Sequence, residues 1–165
     1  MGAVFEVRRA GLEDVDQIAA AHADSIRLIG PLYYDADVVR SWAEGLDGKL
    51  YARAMASGEV FFIAVPRDTD SSECLGFSSH RVDDGVHGTA VYVRGTAARR
   101  GIGSALFRAA EDDARVAGAS VIEIDASLAA VDFYKAQGFE EVGRGEHLLP
   151  SGAQMRCVFM RKRLR

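Results

Sequence analysis

Cysteine is scarce: Cys74 and Cys157 stand alone in 165 residues, and neither has a neighbour at metal-knuckle or redox spacing. A disulfide framework and a thiolate metal site are therefore excluded, and both thiols are expected to be small core hydrophobes in a reduced cytoplasm. No apolar run approaches 18 residues, so no membrane span is predicted. The opening Met1-Gly2-Ala3-Val4-Phe5-Glu6-Val7 carries neither a basic segment nor a long apolar stretch, which argues against a signal peptide. Positive charge is not in excess: 20 Lys and Arg stand against 24 Asp and Glu, a formal net charge of -4, so no broad nucleic-acid footprint is expected. The basic Arg161-Lys162-Arg163-Leu164-Arg165 reads as the solvated end of a strand. Low-complexity tracts and internal repeats are also missing.

What is present suits one globular domain spanning residues 1–165, with 48% hydrophobic and 27% charged residues. Val4 to Arg9 reads as a strand. Leu12, Val15, Ile18, Ala19, His22, Ile26 and Ile29 then recur at helical spacing until Gly30-Pro31. Asp35 can cap a second helix bearing Val38, Val39 and Trp42, with Lys49 to Ser57 continuing helical up to Gly58. Val60 to Val65 is a buried strand, and the polar segment 67–73 a loop. Residues 74–82 and 87–93 are expected to pair antiparallel through an Asp84-Gly85 turn. A helix from Ile102 to Ala117, a strand at Val121 to Ile124, a short helix from Ala129 to Gln137 and strands near 139–142 and 155–160 complete the order β-α-α-β-β-β-α-β-α-β-β. This is a mixed α/β chain.

Arg99-Arg100-Gly101-Ile102-Gly103-Ser104 follows an apolar strand and opens a helix whose inward stripe is Ile102, Leu106, Ala110 and Ala114. A helix start presents unpartnered N–H groups and partial positive charge, which suit a phosphate, and glycines let it approach the main chain. The dinucleotide fingerprint would need glycine where Leu106 stands, and the P-loop pattern is missing.

With the strand Val91-Tyr92-Val93 before it and Phe133-Tyr134-Lys135-Ala136-Gln137-Gly138-Phe139 after it, this turn resembles the GNAT superfamily of N-acetyltransferases. The resemblance covers nearly the whole chain and implies a largely antiparallel sheet flanked by helices. It also implies acetyl-CoA as co-substrate, held by Val91, Tyr92, Val93, Arg99, Arg100, Gly101, Ile102, Gly103 and Ser104, and an amine acceptor. The family allows a homodimer. The chain departs from the pattern at four places: Ala98 replaces the usual Gln or Arg, Gly95 the common Pro, Arg99 a frequent Gly, and Ser127 a frequent Asn.

Acetyl transfer from a thioester to an amine needs a polarised carbonyl, a neutral amine and a proton for the thiolate. The resemblance assigns the first to the backbone N–H of Val93 or Val91, and the last to Tyr134. A phenol of pKa ~10 can protonate a thiolate whose thiol has pKa ~8.5. For the base, His87 stands at the strand position, eleven residues ahead of the motif, where the family often has Glu. With Asp84-Gly85 as the turn, His80 and His87 share one sheet face, leaving open a base, a groove-lining imidazole or a two-histidine metal pair that lacks a third ligand. His22 and His147 read as structural or solvent-facing. The acceptor region implied by the family involves Tyr33, Tyr34, Trp42 and the loop from Gly145 to Gly152, with Trp42 also at core spacing. A non-catalytic acyl-CoA-binding regulator is the competing function, and Ala98 and the missing Glu would mark it.

Overall fold

A computed structural model describes residues 4–83 and 86–165. Within these residues seven strands form one sheet: β1 (Phe5–Arg9), β2 (Val60–Pro66), β3 (Gly76–Asp83), β4 (Val86–Val93), β5 (Val121–Ser127), β6 (Glu140–Leu148) and β7 (Gln154–Arg163), in spatial order β1-β2-β3-β4-β5-β7-β6. Every pairing is antiparallel except β4 with β5. The predicted Asp84-Gly85 turn lies outside the described residues. The β3–β4 register it implied is present, with Val82 opposite His87 and His80 opposite Thr89.

Among the described residues five α-helices cover the sheet: α1 (Val15–Ile29), α2 (Ala36–Trp42), α3 (Gly48–Ala56), α4 (Ile102–Val116) and α5 (Val131–Ala136). Where the periodicity suggested one helix running on from Asp35, there are two, α2 and α3. Gly45 adopts a left-handed φ of 73° between them, and Asp47 caps α3 by accepting from the Leu50 N–H at 3.1 Å. A new cap restarts a helix after such a break. The last two strands also run longer than their apolar cores indicated, because ladder pairing carries them through polar residues such as Glu146 and Arg161.

The two faces of the sheet bury different sets. On one, Ile18 and Ala21 of α1 and Tyr51 of α3 pack on Phe61, Ile63 and Phe77. On the other, Ile102, Leu106 and Phe107 of α4 and Tyr134 of α5 pack on Ala64, Ile122, Ile124 and Val158. Each large side chain buried this way contributes roughly 1.5–3 kcal/mol, which is why α4 is anchored along its whole length.

The site arises from one irregularity. β4 and β5 pair only from Val86–Val121 to Gly88–Glu123, and beyond that the two parallel strands diverge. The Arg94 N–H donates to the carbonyl of Leu75, the residue just before β3. By the alternation of a strand, the main-chain groups of Val91 and Val93 therefore point away from β3, into the opening.

Candidate active site

A cavity of about 450 Å³ fills the splay between β4 and β5. Val91, Tyr92 and Val93 line it from the strand, and Arg99, Gly101, Ile102, Gly103 and Ser104 from the turn and the first turn of α4. Eight of the nine predicted coenzyme residues thus come together; Arg100 is not among the lining residues. Gly101 has φ 78°, and no side chain caps the helix that follows. The N–H groups of its first turn are consequently left for an anion. Arg99 is also left-handed, at φ 61°. A side chain in that region typically costs about 1–2 kcal/mol, which accounts for the glycine common at this position in the family the turn resembles. A Cβ built on Gly103 would lie 3.1 Å from the Phe133 ring, so the glycine lets α4 close on α5 as well as opening the helix start. Gln137 ties the same turn to the end of α5 by donating to Ser104 Oγ at 3.0 Å.

The family model for the acetyltransferase (GNAT) domain matches residues 32–163. The chain belongs to the GNAT acetyltransferase family.

Solved GNAT structures agree in fold. A GCN5-related N-acetyltransferase from Rhodopseudomonas palustris superposes with a TM-score of 0.84 at 24% identity, over 99% of this chain and 98% of that one. The PaiA N-acetyltransferase of Thermoplasma acidophilum, in complex with coenzyme A, gives 0.72 at 17% over 99% and 100%. A phosphinothricin acetyltransferase from Sinorhizobium meliloti, in complex with AcCoA, gives 0.74 at 17% over 98% and 89%. Identities this low establish the fold alone. No curated protein sequence matches the chain significantly.

Tyr134 does not line the cavity. It is 4% exposed and packed edge-on to Phe139 and Phe133. Burial, with the neighbouring Tyr92 second, raises its pKa, so the phenol is protonated at neutral pH. Tyr92 does line the cavity, and burial pushes its own phenol up to about 12.

The structure does not bring His87 to either cavity. The shared face with His80 is as expected, but it is the α4 face, and His87 is 0% exposed and lines neither the splay cavity nor the one described next. His80 Nε2 sits 2.6 Å from Asp113 of α4, and the two imidazole rings lie 4.5 Å apart. Both His87 ring nitrogens are buried without a partner, and burial, with His80 second, lowers its pKa to about 4. It is a packed neutral imidazole. Among the described residues no group of three or more His, Cys, Asp or Glu side chains is placed to hold a metal, and no helix is long and apolar enough to cross a membrane.

On the α1–α3 face a second cavity, of about 410 Å³, shares Trp42, Tyr92 and Ser127 with the first. Trp42 is both core and wall: it packs edge-on to Tyr34 and Tyr92 and borders both cavities. The second cavity contains side chains the sequence reading did not group: Glu123 and Asp125 of β5, His147 of β6, and Cys157 of β7. His147 Nδ1 lies 3.1 Å from Asp125 Oδ2, so the histidine is solvent-facing, as expected, and also borders the cavity. Tyr34 does not wall either cavity; its hydroxyl donates to the Arg156 carbonyl at 2.7 Å and accepts from the Leu128 N–H at 2.8 Å, holding the end of β5 against β7. Partners 94 and 122 residues away leave no local signal. His22 is structural, with Nδ1 2.7 Å from Tyr51 Oη and a pKa lowered to about 4 by burial.

Proposed function

We propose that this GNAT protein transfers the acetyl group of acetyl-CoA to a primary amine by direct attack in a ternary complex. The observation that carries this reading is the continuity of the two cavities: one beneath an uncapped helix start, the other with carboxylates, joined at Trp42, Tyr92 and Ser127. The first turn of α4 binds the diphosphate, with Arg99 beside it. The N–H of Val93, or of Val91 beside it, polarises the thioester carbonyl, because both lie on the edge of β4 turned away from β3. Tyr134 supplies the proton that the departing thiolate takes up. We place this activity in one domain, residues 1–165, working in the cytoplasm, where the buried unpaired thiols of Cys74 and Cys157 stay reduced.

The experiment is free-thiol release from acetyl-CoA with a panel of primary amines: an aliphatic diamine, a lysine ester and an alanyl dipeptide. Amine-dependent release is expected. Acetyl-CoA binding by calorimetry without release for any amine would instead support the non-catalytic acyl-CoA-binding protein that Ala98 suggests.

A further inference from the structure

With His87 sealed under α4, the proton of the incoming ammonium needs another acceptor. We propose that His147 is that acceptor and that Asp125 is the residue that positions it, in a cavity built for a cationic amine. The inference rests on the transferase reading above.

Three observations converge. The His147–Asp125 pair lies in the wall of the 410 Å³ cavity, which meets the splay cavity at Trp42, Tyr92 and Ser127, so an amine there adjoins the region assigned to the thioester. Both side chains are about half exposed, 50% for His147 and 46% for Asp125, so the imidazole can accept a proton from the cavity and release it to water. The charges are of the right sign. Glu123 is neutralised by Arg161 of β7 at 2.7 Å, leaving Asp125 as the carboxylate bordering the cavity beside the histidine, while the Tyr92 ring from β4 and Trp42 from α2 supply aromatic faces that favour a cation. Cys157 does not compete as a nucleophile, because burial and the neighbouring Asp125 and Glu146 push its thiol up.

The pair works by fixing a tautomer. Asp125 accepts the Nδ1 proton, which leaves the Nε2 lone pair free for the substrate. Nε2 takes one proton from the ammonium, and the neutral amine attacks the thioester carbon. A C–N bond forms and the C–S bond breaks. The thiolate takes a proton from Tyr134, which recovers it from the nitrogen of the new amide, and the imidazolium loses its proton to solvent. The products are the amide, the free thiol and one proton.

The test compares the parent protein with His147→Ala and Asp125→Asn, using the amine of the panel that releases most thiol. His147→Ala should lower kcat by about 10²-fold with an unchanged thermal midpoint, and imidazole added to the buffer should restore part of the rate. Asp125→Asn should lower kcat about 10-fold and raise KM for the amine, and imidazole should not rescue it. Independently of turnover, the amine alone, without acetyl-CoA, should shift the His147 ring signals in the NMR spectrum of the parent. Full activity in His147→Ala, or a loss that imidazole does not relieve, overturns the assignment while the transferase reading stands. No thiol release from the parent with any amine overturns both.

Discussion

Replacing His87 by leucine separates two roles for that residue, and its expected effects follow from the burial. The imidazole is 0% exposed with neither nitrogen partnered, beside His80, whose Nε2 is held by Asp113. Its pKa falls from 6.5 to about 4, so in the window between these values the unfolded chain binds a proton that the folded chain refuses. Unfolding therefore takes up protons there. The stability linked to His87 is complete above pH 6.5 and is lost as the pH falls through 4, by roughly 3 kcal/mol in all. At neutral pH the leucine also removes a buried, unpaired N–H, a group whose desolvation is worth about 1–3 kcal/mol. His87→Leu should be at least as stable as the parent near neutrality and should lose about 3 kcal/mol less on acidification to about pH 4. Its acetyl transfer should be intact, since both ring nitrogens are sealed beneath α4 without a partner. Urea unfolding followed by circular dichroism across that pH range measures the first two, and thiol release the third. Parallel acid slopes in parent and variant would refute the burial argument. A folded but inactive variant would return His87 to the chemistry.

Gly103→Ala tests the helix start. Alanine favours the helix by up to about 1 kcal/mol, and the 3.1 Å approach to Phe133 takes back part of that gain, so stability should change little. Acetyl-CoA affinity, read by calorimetry, should nonetheless fall at least about 10-fold, or about 1.4 kcal/mol, because the main chain is no longer open to the diphosphate; unchanged affinity would remove the turn from the binding site. Tyr134→Phe should keep acetyl-CoA affinity and lower kcat on the order of 10²-fold, and wild-type turnover in steady-state kinetics would make Tyr134 a packing residue.

Much of the fold could be read along the chain because its signals are local. Apolar periods marked the strands and helices, and the glycine turn before Leu106 with the Phe133-Tyr134 segment marked the family and the uncapped helix start. Period-two alternation even placed His80 and His87 on a common face. What alternation does not contain is which face. That depends on the pairing of His87 with Ile122 of β5 and on α4 packing over both, contacts between residues far apart in sequence. The same limit hid the meeting of His147 with Asp125, on strands separated in the sheet by β7, and the clasp of Tyr34 on Leu128 and Arg156. The sequence by itself therefore determined the elements, the family and the glycine turn that opens α4. Only the tertiary structure decided which imidazole is sealed in the core and which one opens onto a cavity, because burial and charge pairing belong to the assembled sheet and not to any one segment of chain.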